Sequence, residues 1–236
     1  MPTDILTGKN AFIAGATGGI GKAIAQSLAR AKCNLFLTGS SQDKLEALAA
    51  SLRPHGVDVQ YGRGDLRKTA DILSVVERAQ AGMERVDILV NAAGVFPRRS
   101  LLECDERDFD DAVSVNLRSA FLFSKHFAAG MVARRWGRIV NIGSSSSYAG
   151  FKETSIYCAT KHGLLGFSRS LHDELKEHNV RTYCISPSST KTPMAVGTPN
   201  QDYSTFLDPE DVAKYVTFVI AFDSNVVTDE LQLKRM

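Results

Sequence analysis

No stretch of the 236 residues is apolar for long enough to cross a bilayer; a run such as Val216 to Phe222 falls far short of the roughly 20 residues a spanning helix needs. The start, Met1-Pro2-Thr3-Asp4, lacks the basic-then-apolar order of a secretory signal, so a cytoplasmic chain is expected. Charge of one sign is equally scarce. Lys and Arg number 28 against 26 Asp and Glu, a formal +2 with the signs interspersed, which excludes the basic stripe of a nucleic-acid binder. The four cysteines, Cys33, Cys104, Cys158 and Cys184, show no C-x-x-C pair and no histidine at ligand spacing. They read as reduced thiols, not as a disulfide framework or a metal site. A nucleophilic role for Cys158 would need a base to activate it, and a small buried cysteine is the commoner role. Repeats and low-complexity linkers are also missing.

What is present is an ordinary globular balance, 44% hydrophobic and 23% charged, enough for one large core over residues 1–236. Short apolar runs alternate with segments of helical period. Strands are expected at Asn10–Ala14, Asn34–Thr38, Val57–Tyr61, Val86–Val90, Arg138–Ile142 and Arg181–Ser186, with a weak last one at Leu231–Leu233. Helices are expected from about Ile20, and near 42–53, 67–81, 105–135 and 154–178. A further helix over about 209–221 has Asp208 as N-cap, Pro209 at its first position and Glu210 and Asp211 in its first turn. Strands joined by helices must run parallel with both faces covered, which predicts an α/β doubly wound parallel sheet with right-handed crossovers. The stretch 188–207 has no clear period. Its Pro193, Gly197, Pro199, Tyr203 and Phe206 suit a flap over a site, against the alternative of a plain surface excursion.

Gly15-Ala-Thr-Gly18-Gly19-Ile-Gly21 lies between the first strand and the first helix. Glycines there allow a tight turn and a close backbone approach to a pyrophosphate at a helix N-terminus, whereas the same residues elsewhere would be turn chemistry alone. Tyr157 and Lys161 share one helix face, an arrangement that is often a simple surface pair. Ser144 follows the fifth strand at its carboxyl end, where open α/β sheets bind ligands, although the Ser144–Ser147 run also reads as a polar turn. Asn91-Ala92-Ala93-Gly94 follows the fourth strand in the same way, as a cofactor-facing segment or a plain turn. Asn116 sits among Val113, Ala120 and Phe121, where a buried amide needs partners and a structural role is as good a reading as a catalytic one.

Together these motifs resemble the short-chain dehydrogenase/reductases, over nearly the whole chain and on the side of the 3-oxoacyl-[acyl-carrier-protein] reductases. The resemblance implies a three-layer Rossmann-type fold. It implies a catalytic tetrad of Asn116, Ser144, Tyr157 and Lys161, with Asn116 anchoring a water chain behind the lysine. The turn from Gly15 to Gly21, including Thr17 and Ile20, would take the pyrophosphate. Ser40, Asp65 and Leu66 would hold the adenosine end, Asp65 the adenine itself. Asn91, Ala92 and Gly94 would line the cofactor, and Pro187 to Met194 would form the nicotinamide loop through Thr190 and Thr192, with Lys161 on the ribose and no metal. Three positions depart from the family pattern: Ala14 stands for a threonine, Ser188 for a glycine, and Thr228–Met236 for a glycine-rich ending.

The implied chemistry is reduction of a carbonyl to a secondary alcohol, with Tyr157 as acid/base, Lys161 and the nicotinamide lowering its pKa, and Ser144 on the oxyanion. No acid occupies Thr38-Gly39-Ser40-Ser41, so NADP(H) is favoured, with NAD(H) as the alternative, although no strong basic partner is evident. The leading substrate is a 3-oxoacyl group on acyl carrier protein, with Arg134-Arg135 at a helix end as a docking pair for an acidic carrier. The alternatives are a small free ketone, secondary alcohol or sugar, or a non-catalytic NAD(P)-sensing relative. Substrate contacts are expected from Ser144, Tyr148, Phe151 and Tyr157, and a homotetramer or homodimer on the helices near 105–135 and 154–178.

Overall fold

Successive strand residues point to opposite faces. In β1 (Asn10–Ala14) Ala11 and Ile13 therefore enter one core while Phe12 and Ala14 enter another. The computed structural model describes residues 3–196 and 201–236. The remaining strands are β2 (Asn34–Gly39), β3 (Val59–Arg63), β4 (Ile88–Asn91), β5 (Gly137–Ile142), β6 (Val180–Pro187) and β7 (Glu230–Leu233). All pair in parallel, in the order β3-β2-β1-β4-β5-β6-β7. Helices α1 (Gly19–Arg30), α2 (Gln42–Leu52) and α7 (Pro209–Ala221) supply the first core. Helices α3 (Thr69–Gly82), α5 (Ser119–Arg134) and α6 (Ser155–Leu175) supply the second. The expected doubly wound α/β class holds. Strand order reverses between β1 and β4, so the carboxyl ends of these two strands form the crevice that such sheets use for ligands. Among the described residues no helix is long and apolar enough to cross a membrane.

The differences from expectation are local. β3 starts at Val59, two residues after the expected Val57: the pairing with β2 opens at Leu35 beside Val59, and Asp58 gives only its carbonyl to Leu35 N–H, at 2.8 Å, while its own N–H donates to the Asn34 side-chain oxygen at 3.1 Å. The helix expected over 105–135 is three pieces: α4 (Glu106–Val113), a wide π-helical turn at Ser114–Arg118, and α5. In α5, Phe123, Phe127 and Met131 are buried whereas Phe121 is 44% exposed. Asp208 precedes Pro209 as expected, yet its carboxylate makes no cap bond and pairs instead with Lys191 at 3.0 Å. Within the stretch expected as a flap, Thr190 bridges Leu207, while Gly197 and Pro199 lie outside the described residues.

Candidate active site

The glycine-rich turn is built to let another backbone come close. Gly15 has φ +74°, and a Cβ there would stand 2.6 Å from Ala93 Cα in the segment after β4. A Cβ on Gly21 would stand 2.2 Å from the Gly15 carbonyl oxygen. Gly18 caps α1 without any side chain, so the N–H groups of the helix's first turn meet no side-chain acceptor, which suits an incoming pyrophosphate. Ile20 packs on the first core, and Thr17 lies against Gly39 at the end of β2. Thr192 closes over the turn from the far side, so near that a Cβ on Gly19 would meet its methyl group at 2.5 Å. These features fit a dinucleotide.

The other positions expected to face a cofactor differ in how free they are. The Ser40 carbonyl accepts a bond from Arg63 Nε at 3.1 Å. Both carboxylate oxygens of Asp65 are taken by Arg67, at 2.8 Å each, which holds that carboxyl below the usual range. The Leu66 side chain is buried in the second core. Asn91 donates to Asn141 Oδ1 at 2.8 Å while its own buried Oδ1 has no partner among the described residues. Ala92 N–H donates to the Ala14 carbonyl at 3.0 Å, and Gly94 faces the Asn116 amide. Pro187 ends β6, and buried Thr190 donates to the Ser188 carbonyl at 2.9 Å. Ser188 is not among the residues with positive φ, and its N–H continues the ladder onto Leu233 at 2.8 Å, so the backbone here does not require glycine, while the buried Ser188 hydroxyl has no partner among the described residues.

The four residues singled out for chemistry converge where β4 and β5 end and α6 begins. Asn116, in the wide turn, spends its amide on structure: Oδ1 accepts from Val95 N–H at 2.8 Å, and Nδ2 donates to the Val95 carbonyl and to Thr160 Oγ1, both at 3.0 Å. Thr160 adjoins Lys161, so Asn116 acts on the lysine's helix and not on its ammonium. Buried Lys161 donates to the Ile142 carbonyl at 2.7 Å, with its Nζ 5.7 Å from the centre of the Tyr157 ring. Burial drops its pKa from 10.5 to about 8. Ser144 Oγ accepts from Ser146 N–H at 3.1 Å and also hydrogen-bonds the Tyr157 phenol.

The expected depression of the Tyr157 pKa is not what this chain's residues produce. Burial raises it, and the Ser144 bond only partly offsets that. Desolvation wins because Phe96 lies edge-on against the ring at 4.6 Å and Lys161 spends a proton on the Ile142 carbonyl. Tyr157 therefore rests as a phenol, the form that donates a proton.

Of the expected substrate contacts, Phe151 is exposed at the rim. Tyr148 turns its hydroxyl to Glu230 of β7 at 3.1 Å, and burial with that carboxylate pushes it up to about 12. Arg169 holds Glu230 in turn. Sequence reasoning missed Phe96, Glu230 and Arg169, which are joined to the site only by tertiary packing. The docking pair expected from sequence also falls away from the site. Arg134 donates to the Val86 carbonyl at 2.8 Å and approaches Asp87, and Arg135 donates to the Glu177 carbonyl at 2.9 Å. Both lie at the amino edge of the sheet, opposite Tyr157.

A buried lysine, a protonated tyrosine and a serine hydroxyl, set beside a glycine-rich turn at the sheet's switch point, define an oxidoreductase that works on a bound dinucleotide. The short chain dehydrogenase family model matches residues 9–202. Nodulation protein G of Rhizobium sp. (strain N33) is 36% identical over 189 residues, covering 80% of this chain and 76% of that protein. The 3-oxoacyl-[acyl-carrier-protein] reductase of Aquifex aeolicus (strain VF5) is 32% identical, covering 96% of this chain and 95% of its own. A solved alcohol dehydrogenase of the archaeon Thermococcus sibiricus, complexed with 5-hydroxy-NADP, superposes with a TM-score of 0.87 at 28% identity, covering 95% of each chain. The chain belongs to the short-chain dehydrogenase/reductase family and is an NAD(P)-dependent oxidoreductase in class.

Proposed function

We propose that this chain is an NADPH-dependent reductase that turns a ketone into a secondary alcohol, and that its substrate is a 3-oxoacyl group carried as a thioester on acyl carrier protein. The observation that carries the reaction type is the protonated Tyr157 hydrogen-bonded to Ser144 above buried Lys161. Bound NADPH supplies the hydride to the carbonyl carbon. Tyr157 gives its phenolic proton to the developing alkoxide, and Ser144, anchored through its oxygen by Ser146 N–H, donates to the same oxygen. Lys161 places positive charge beneath the phenolate that remains. Gly15 to Gly21, with Thr17 and Ile20, hold the pyrophosphate. Ser40, Asp65 and Leu66 border the adenosine. Asn91, Ala92 and Gly94 line the cofactor, with Pro187, Thr190 and Thr192 at the nicotinamide and Phe151 on the substrate side.

NADP(H) is supported by the lack of any carboxylate in Thr38–Ser41 and by the ligand of the Thermococcus structure. The thioester substrate is supported by the full-length match to the Aquifex reductase. A second reading, a free ketone or secondary alcohol, is favoured by the engagement of Arg134 and Arg135 away from the site. The exposed Phe121, edge-on to Phe167 across α5 and α6, supports pairing of two copies through these helices, in a cytoplasmic enzyme. Light scattering of a stable monomer would refute the pairing. Nicotinamide absorbance separates the substrates: NADPH oxidation with a 3-oxoacyl thioester alone supports the first reading, and oxidation with free ketones or sugars alone supports the second. Silence with every substrate returns the chain to a cofactor sensor.

A further inference from the structure

NADPH differs from NADH by one phosphate on the adenosine ribose, which carries about −1.5 to −2 charges near neutral pH and seeks a cation. The segment that follows β2 has hydroxyls and no cation of its own until Lys44. The fold supplies one from another strand. β2 and β3 end in register, with Gly39 beside Arg63. The Arg63 side chain bends back over that end, its Nε donating to the Ser40 carbonyl at 3.1 Å. Its own carbonyl is pinned by Arg78 Nη2 at 2.6 Å, so the base of the side chain is fixed.

The remaining face of this guanidinium is uncommitted. Arg63 is exposed, and its two terminal nitrogens have no acceptor among the described residues. Its neighbours are the exposed Ser40 and the half-buried Ser41, the N-cap of α2. The competing charges nearby differ from it. Arg67 is spent on Asp65 and Asp111, while Lys44 and Asp43 stand exposed and opposed in the first turn of α2. A fork with one nitrogen anchored and two free is the arrangement that grips a phosphate through paired hydrogen bonds.

We infer that Arg63 recognises the 2′-phosphate of NADPH, together with the hydroxyls of Ser40 and Ser41, and so sets the preference for NADPH over NADH. This rests on the NADPH reading above. Asp65 and Arg67, satisfied by each other, take no part in it.

The test is direct binding, without turnover: calorimetric titration of the full chain with NADPH, with NADH and with 2′,5′-ADP. The unmodified chain should bind NADPH at least tenfold more tightly than NADH. Arg63→Ala should weaken NADPH and 2′,5′-ADP about ten- to hundredfold and leave NADH unchanged. Arg63→Lys should recover part of the loss, and raised salt should erode the preference of the unmodified chain more than that of the alanine variant. Should NADPH and NADH weaken equally in Arg63→Ala, or should the variant still discriminate, the role of Arg63 is overturned while the NADPH reading stands. Should the unmodified chain fail to discriminate, both are overturned. Thermal melts of each variant show whether the rim has kept its fold.

Discussion

Replacing Lys161 by methionine should make the folded chain more stable and the site inert. The ammonium is buried, and burial moves its pKa from 10.5 to about 8. At about 1.4 kcal/mol for each tenfold change in proton affinity, keeping the charge inside costs the fold about 3 kcal/mol at pH 7. Below pH 8 the lysine is charged folded and unfolded, so the penalty is complete. Between 8 and 10.5 the folded chain sheds its proton first and the penalty shrinks, and above 10.5 it is gone. Methionine, of similar length, has no charge to desolvate. It forfeits the 2.7 Å bond to the Ile142 carbonyl, about 1 kcal/mol. The balance is a gain of about 2 kcal/mol at pH 7, or roughly 4–8 °C in melting temperature for a chain of this size. Paired thermal or denaturant melts at pH 7 and pH 10.5 measure it. A variant less stable than the unmodified chain at pH 7, or one whose difference does not change between the two pH values, would refute the reasoning.

Tyr157→Phe should bind cofactor as before and lose turnover by at least about a hundredfold, since only the transferable proton is removed; steady-state rates beside cofactor titration separate the two effects. Gly21→Ala places a methyl group 2.2 Å from the Gly15 oxygen, so the turn must open. Cofactor affinity should fall at least about tenfold in calorimetry, with a loss of stability on the order of 1–3 kcal/mol. Asn116→Ala strips both Val95 backbone groups of their partner and should cost about 3 kcal/mol in denaturant unfolding; Asn116→Asp, which keeps the acceptor for Val95 N–H, should cost less. Glu230→Gln removes the carboxylate facing the Tyr148 phenol, so in ultraviolet titration the tyrosine that ionises near 12 should move down, and Tyr148→Phe should abolish that step.

The sheet was legible because buried parallel strands are short, apolar and bounded by polar residues, and β1 is found at its expected ends. β3 begins two residues after the expected Val57 because Val57 and Val59 are equally apolar, and the pairing of Val59 with Leu35 of β2 has no local signal. The positions of Ser144, Tyr157 and Lys161 could be read from strand ends and helix spacing. Their ionisation states could not, because these depend on Phe96 and the Ile142 carbonyl, neither of which has a local signal. Arg63 was invisible for a related reason: it lies 23 residues from Ser40 in sequence and meets it only through strand pairing.

The wide turn at Ser114–Arg118 bears on how such a gene tolerates insertion and deletion. Removing one residue from it would let α4 and α5 fuse into a single regular helix, a more favourable backbone by any local measure. The price would be a rotation of about 100° for everything on one side of the deletion, carrying Asn116 off Val95 and Thr160. A one-residue deletion that a surface loop would absorb should here unseat Asn116, so the less regular helix is the one that keeps the Val95 segment and α6 joined.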